Sequence, residues 1–331
     1  MPARRLKDGL PSDLRDLFLA YPFKRYQMSF QGTSHEGLAD YHLNQTEREW
    51  QRSGAGGGWI AIAKGKTHRS RTLAFGRLMR SPWHCEVLGR EIYRLRPFLY
   101  RPEREAAAGE LIAVAVRRFR RAGGELLEVR VDPSDLVAEK ALIKAGFHPL
   151  GTSVKLSVKS SDLRLTRRKS RAGVEIEPVE ESDLRPLRDI VRKAHVTSHY
   201  FNESSFDARK VRTMFVRWVE RCARGLADEV LVARTEGKVQ GFVTLMVNRG
   251  IADFIGHRIG VIDFVAVHPA AQGQGIGSAL LAAGLRRLRR TAPILEIRTE
   301  LDNYPAIRTY SKLGFQLTSA DRLWMLSKPG G

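Results

Sequence analysis

The hydrophobic positions of this chain alternate between a period of two and a period of three to four, and the pattern is written twice. The stretch "RRFRRAGGELLEVRV" (117–131) followed by "AEKALIKAGF" (138–147) matches "RRLRRTAPILEIRT" (286–299) followed by "AIRTYSKLGF" (306–315), at an offset of 168 to 169 residues. Each copy reads as a basic amphipathic helix, a β-branched strand, a second helix and a Gly–Phe stop. Such a glycine suits the left-handed position just past a helix end, and the following Phe can fold back on the last turn. A repeat this long indicates duplication of a whole domain rather than a solenoid.

The second copy divides into clear elements. "VEIEPVE" (174–180) predicts a strand, and "SDLRPLRDIVRKAH" (182–195) and "DARKVRTMFVRWVERCARG" (207–225) predict helices, with apolar residues three and four apart. "EVLVARTEGKVQGFVTLMV" (229–247) reads as two strands about a Glu-Gly turn, and "GVIDFVAV" (260–267) as a strand near a sheet centre. A helix from the following glycines, the strand "ILEIRT", the helix "PAIRTYSKLGF" and a last strand in "RLWMLSK" complete it. In the first half "GWIAIAK" and "TLAFGRLMRS" are the matching strands. Strands alternating with helices predict an α/β fold with a mixed sheet in each half. Residues 157–173, "SVKSSDLRLTRRKSRAG", are polar and basic without periodicity and read as a connector. The expected division is a first domain over 1–160, a linker over 161–172 and a second domain over 173–331.

Composition narrows the class. A chain of 331 residues suits two domains of about 150 each, and 43% hydrophobic with 28% charged residues is the balance of a soluble globular protein. No apolar run reaches about 18 residues and the charged start lacks a signal-like core, so membrane insertion is not expected. Cys85 and Cys222 are too few and too far apart for a disulfide framework, so a cytoplasmic location is expected. The formal charge is +20, most of it outside residues 172–331. Such a field concentrates anions without choosing among them, and a composition rich in Arg and Ala gives the same excess with no partner at all. Basic residues are not interleaved with aromatics, so nucleic acid is not the expected partner. The oligomeric state is left open.

The chemistry is concentrated in "VHPAAQGQGIGSALL" (267–281), where Gly273, Gly275 and Gly277 separate a strand from a helix. Bare backbone N–H groups and a helix N-terminus together make an anion seat, most simply for a pyrophosphate. A phosphate loop of the Walker kind needs Gly-Lys-Ser/Thr, and Gly277-Ser278-Ala279 lacks the lysine. A Rossmann reading, Gly273-x-Gly275-x-x-Ser278 with Glu296 for a ribose, replaces the third glycine and falls about 90 residues into the domain.

"VAVHPAAQGQGIGSALL" resembles motif A of the GNAT superfamily of acetyl-CoA-dependent N-acetyltransferases, with Gln272, Gly275 and Gly277 at its core positions, and "TELDNYPAIRTYSKLGF" (299–315) resembles motif B, with Asn303 and Tyr310 seven apart. A narrower likeness, to the TDP-fucosamine acetyltransferase-like two-part enzymes, runs through "SPWHCEVLGREIYRL" (81–95) and "SHYFNESSFDARKVRTMFVRWVE" (198–220); His84-Cys85 and His199-Tyr200 depart from its pattern. The resemblance implies two acyl-CoA N-acyltransferase domains and acetyl-CoA as co-substrate. Main-chain N–H groups of Gln272, Gly273, Gln274, Gly275, Ile276 and Gly277 would hold the pyrophosphate, and the backbone of Val265 and Val267 would pair with the pantetheine arm. The strand "ILEIRT" would splay away to admit that arm, and Asn303 would bind it or cap the helix opened by Pro305. Tyr310 would protonate the leaving thiolate.

Asp263 is the candidate base. A carboxylate inside "VIDFVAV" is costly to bury unless paired or functional, and the period of two places it on the side of Val265 and Val267. Glu300 is the reserve. His195 and His199 are four apart and could share a helix face, but no carboxylate completes a hydrolase pattern, so no metal is expected. "RRLRR" (286–290) reads as a solvated face. The implied acceptor is a small-molecule primary amine, first a nucleotide-linked amino sugar, alternatively a peptide, polyamine, antibiotic or other small amine; the alternative of another class is a basic nucleic-acid-binding protein with a vestigial acetyl-CoA site. In the first copy the glycine loop becomes Glu103, Ala106 and Ala108, and Tyr310 becomes Leu142, so that copy reads as degenerate and acetyl-CoA is expected on the second alone.

Overall fold

The computed structural model describes residues 3–4, 9–23, 33–63, 71–165, 173–194 and 196–328, with backbone alone for residues 3–4. Two compact units are formed. The first is Met1–Ser153 together with Ser319–Gly331, and the second is Val154–Thr318.

In chain order the first half supplies β1 (Ala3–Arg4), α1 (Leu14–Ala20), α2 (His35–Ser53), β2 (Trp59–Ala63), β3 (Thr72–Arg80), α3 (Pro82–Leu88), β4 (Ile92–Tyr100), α4 (Ala106–Arg121), β5 (Leu126–Val131), α5 (Leu136–Lys144) and β6 (His148–Lys159). The second half supplies β7 (Val174–Pro178), α6 (Leu184–Lys193), α7 (Ala208–Arg221), β8 (Glu229–Thr235), β9 (Lys238–Asn248), α8 (Ala252–Ile255), β10 (Ile259–Val267), α9 (Ile276–Leu288), β11 (Ile294–Glu300), α10 (Tyr304–Lys312) and β12 (Gln316–Ser327). The two lists have the same order of strands and helices, down to the short helices α3 and α8, so the repeat seen in the hydrophobic pattern is a repeat of structure. Each unit is an open mixed α/β sheet.

The last strand of each half, however, completes the other unit. The first unit's sheet runs β1-β2-β3-β4-β5-β12, with Arg322–Ser327 of β12 antiparallel to Leu126–Val131 of β5. The second runs β7-β8-β9-β10-β11-β6, with Lys155 of β6 ion-paired to Glu296 of β11 at 3.4 Å. Compactness therefore divides the chain at Ser153/Val154 and again at Thr318/Ser319, whereas the sequence pattern alone puts the linker at 161–172. Part of the stretch read as a connector is strand. Val154, Leu156 and Val158 alternate into the core of β6 and are buried, which extends β6 through Lys159. Residues 166–172, with the "RRKSR" run, lie outside the described residues.

Within the second unit the helices cover both faces of the sheet. Leu187, Ile190 and Val191 of α6 and Val216 and Val219 of α7 pack with Val232, Phe242 and Ala266 on one face. Leu280, Leu281, Leu285 and Leu288 of α9 are buried, and α9 lies so close to β9 that a Cβ on Gly284 would be 2.8 Å from Leu245 Cδ2. The Asp207 carboxylate caps α7 by accepting from Arg209 N–H, a contribution of about 1 kcal/mol. The Gly–Phe stops behave as the sequence predicts. Gly146 and Gly314 are left-handed at φ 89° and 98°, and Phe147 and Phe315 donate N–H to Leu142 and Tyr310 carbonyls five residues back.

Candidate active site

The site is built where β10 and β11 part. The two strands are paired in parallel only from Ile259–Ile294 to Ile262–Ile297. Beyond that point Phe264–Val267 keep their antiparallel partners on β9, Thr244 to Gly241, while the other edge of β10 has left β11. This is the splay the sequence resemblance implies, and it presents the backbone edge of Val265 and Val267 to the gap.

At the end of β10 the chain passes through a short turn, Pro269–Ala271, into the glycine loop. Gly273 and Gly275 are left-handed, at φ 76° and 82°, a conformation that L side chains adopt only with strain. Neither would bring a Cβ within 4 Å of any atom, so the main chain here borders open space. Gly275 is the residue before α9 and brings no side-chain cap, so the first N–H groups of α9 keep the orphan donors and the positive dipole end. Ile276 is buried beneath the helix start and anchors it. Gln272 departs from the expected role, because its N–H is used in the preceding turn, donating to Pro269 O at 3.2 Å, so the run of outward donors starts at Gly273. The amides of Gln272 and Gln274 donate back to the Val267 and Ala270 carbonyls and hold the loop's shape.

Asp263 is not where the period of two places it. The β9–β10 register slips between Ile262 and Phe264, so Asp263 is the extra residue of a β-bulge. Ile262 faces α9, where its Cδ1 approaches Gly284, and Val267 faces the start of α9 at Gly277. Phe264 stacks on Phe215 of α7, and Asp263 turns to the same face. Its Oδ2 accepts from Trp218 Nε1 at 2.8 Å and from Thr244 Oγ1 at 3.2 Å. Burial pushes the carboxyl above its ordinary range, and those two donors pull partly the other way. The bulge thus puts Asp263 opposite in sense to Val265 and Val267, a feature that alternation alone does not reveal.

Glu300 closes β11 and meets a residue from far along the chain. Ser198 caps a single turn over His199–Asn202, between α6 and α7. His199 Nδ1 lies 2.7 Å from Glu300 Oε1, with both side chains at least 88% buried and the ring 4.5 Å from that of Tyr200. Sequence spacing gave no hint of this pair, separated by 101 residues. His195 lies outside the described residues, and among the described residues no group of three or more His, Cys, Asp or Glu side chains is arranged to hold a metal.

Motif B brings the remaining groups. Asn303 precedes α10 but makes no side-chain cap, its amide donating instead to Thr299 Oγ1 at 3.0 Å. Of its two expected roles, capping is therefore not the one its side chain performs. Tyr310 is buried, and loss of water pushes its phenol up to about 12. It stays protonated throughout the neutral range. Arg286 and Arg287 of α9 and Arg289 and Arg290 just past its end are exposed, as the reading of a solvated face predicts. Among the described residues no helix is long and apolar enough to cross a membrane.

Comparison with known proteins agrees with this architecture. A mycothiol acetyltransferase of Saccharomonospora viridis is 37% identical over 122 residues, 36% of this chain and 38% of the relative. The match thus spans well under half the length of that relative. Among solved structures, a GCN5-related N-acetyltransferase from Sphaerobacter thermophilus superposes over 100% of this chain and 96% of its own, with a TM-score of 0.66 and 16% identity. A tandem GNAT protein from the clavulanic acid biosynthesis pathway superposes over 82% of this chain and 84% of its own, with a TM-score of 0.52 and 16% identity. The model of the acetyltransferase (GNAT) family matches residues 190–315, from α6 to the Gly–Phe stop of α10. By sequence that stretch matches the GNAT acetyltransferases, and by structure the chain around it has their fold.

Proposed function

We propose that the second unit transfers the acetyl group of acetyl-CoA to the primary amine of a small molecule. The observation that carries this reading is the parting of β10 and β11 after Ile262–Ile297, beside a helix start whose glycines leave the backbone bare. The donor set fits the co-substrate: N–H groups from Gly273 to Gly277 suit a diphosphate, and the released edge of Val265 and Val267 suits the amide-bearing pantetheine arm as an added strand would. Acetyl-CoA supplies a thioester already activated for acyl transfer.

The chain's own residues do the rest. Tyr310 offers its O–H to the departing sulfur. A phenol near 12 against a thiol near 8.5 makes full proton transfer costly in isolation, by roughly 5 kcal/mol. The same dry surroundings raise the thiol as well, so the gap narrows when both occupy one site. Asp263 and Glu300, both on the α7 side of the parting strands, are the carboxylates available to the amine's proton. The acceptor that fits the sequence likeness is a nucleotide-linked amino sugar. The mycothiol acetyltransferases among the relatives favour a second reading, the acceptor of those enzymes. Both cysteines are buried free thiols, in keeping with a cytoplasmic enzyme.

Titration calorimetry with acetyl-CoA tests the co-substrate, and free-thiol release with a panel of amines, dTDP-amino sugars and the acceptor of mycothiol acetyltransferases among them, tests the reaction. Tyr310→Phe is expected to bind acetyl-CoA normally and to lose about 10²-fold in kcat. Full turnover by that variant removes Tyr310 from the chemistry, and an absence of binding heat removes acetyl-CoA.

A further inference from the structure

Resting on the acetyl-transfer reading, the geometry points to a base that neither motif contains: we propose that His199, oriented by Glu300, takes the proton of the attacking amine.

The placement comes from the strands. Glu300 is three residues past Ile297, the last residue of β11 paired with β10, so continuing that register sets it level with Val265 and Ala266 across the gap. On β11, Leu295 faces α9, since it and Leu288 both crowd the space beside Gly260. By alternation Glu300 points to the opposite face, toward α6 and α7. His199 reaches it from the turn that leads into α7, and Asp263 is turned toward α7 by the bulge. A pantetheine arm running from the glycine loop back along Val267 and Val265 ends beside that bulge. An amine reaching its thioester from the α6–α7 face passes the His199–Glu300 pair.

The chemistry follows from the 2.7 Å contact. A carboxylate can only accept, so Nδ1–H of His199 donates to Glu300 Oε1, and the proton-accepting atom of the neutral ring is Nε2. Burial of both partners holds the ring in one orientation, as a carboxylate does for imidazole bases generally. Asp263 is held toward α7 by Trp218 and Thr244, both on its Oδ2. The amine arrives as an ammonium ion, and its first proton passes to His199 Nε2 and on to water. The neutral nitrogen then forms a bond to the acetyl carbon, and the C–S bond breaks with its electron pair on sulfur. The second proton on nitrogen leaves to water, sulfur takes the Tyr310 proton, and Tyr310 regains one from water, so of the two protons lost by nitrogen one is balanced on sulfur and one is released. Glu300 acts through the ring and is a positioning residue.

Two measurements on the full-length protein decide it. The ring-nitrogen chemical shifts of His199 at neutral pH, which need no acceptor, are expected to show the Nδ1–H tautomer in the wild type and a changed tautomer balance in Glu300→Gln. Thiol release from acetyl-CoA is then compared for D-glucosamine, an ammonium that must shed a proton, and hydroxylamine, which is already unprotonated at neutral pH. His199→Gln is expected to lose about 10²-fold with D-glucosamine, to be largely spared with hydroxylamine, and to keep the wild-type affinity for acetyl-CoA. An Nε2–H tautomer, or equal losses with the two nucleophiles, overturns the role of His199. A wild type that neither binds acetyl-CoA nor releases thiol overturns the acetyl-transfer reading instead, and the tautomer result stands apart from it.

Discussion

The two units contain the same parting of strands, and only one keeps it clear. In the first unit β4 and β5 pair in parallel from Ile92–Leu126 to Leu95–Val129 and then separate, over four residue pairs just as β10 and β11 do. The β3–β4 register also slips, between Gly76 and Leu78, where β9–β10 carries the bulge of Asp263. What differs is the side chains around the opening. At the place of Val267 stands Tyr100, which is 1% exposed, and at the place of Asn303 stands Asp135, which is fully buried. Asp135 accepts from the hydroxyls of both Tyr21 and Tyr100 and also caps α5 through Ala138 N–H. Tyr21, Phe23, Phe98 and Tyr100 form one aromatic cluster there. Asp132, at the place of Glu300, accepts from Ser134 within its own turn. The helix start carries no left-handed glycine: α4 opens on Glu105 and alanines, with Ala107 and Ala108 buried and Glu103 paired to Arg71. The frame proposed to bind a co-substrate in one unit is filled with protein in the other. A splayed strand pair is thus a property of the backbone, and a binding site is a property of what lines it.

The largest effect that would break this contrast is expected at the helix start. Gly275→Glu puts a carboxylate and a strained left-handed residue where the diphosphate would sit, and calorimetry should show the acetyl-CoA Kd rising roughly 10³-fold, about 4 kcal/mol. An unchanged Kd would mean that the glycine loop does not hold the anion. The next effect belongs to the filled copy. Asp135→Ala strands two tyrosine hydroxyls and removes a cap, so denaturant unfolding should report a loss of about 3 kcal/mol, while the KM for acetyl-CoA stays as it was. A raised KM would assign the first unit a share in co-substrate binding. The smallest effect sharpens the role of the bulge. Burial raises the folded-state pKa of Asp263 above its unfolded value, so the folded state holds that proton more tightly. The penalty for ionising it is absent well below about pH 4 and grows as the pH rises toward the folded value. Asp263→Asn should therefore raise Tm at neutral pH and lose that advantage on acidification. A Tm that falls at neutral pH would mean that the Trp218 and Thr244 contacts outweigh the burial.

Much of this was legible in the chain. The repeat, the Gly–Phe stops, the Glu-Gly turn and the glycine loop each depend on a few neighbouring residues, and local rules find them. Periodicity placed β10 but carried Asp263 to the wrong face, because one extra residue in a bulge leaves no mark on hydrophobic alternation. The His199–Glu300 pair was out of reach for a different reason, since it joins a capped turn to a strand end across 101 residues and neither partner is unusual where it stands. The filling of the first unit was half visible. The loss of glycines at 103–108 is plain in the sequence, whereas the meeting of Tyr21 and Tyr100 on Asp135 needs coordinates.

The crossing-over of β6 and β12 has a practical consequence. A scissile site engineered into the basic connector would yield two fragments, each lacking the outermost ribbon of its own sheet and carrying a ribbon that belongs to the other. Each fragment is therefore expected to fold less stably than the same residues do in the whole chain.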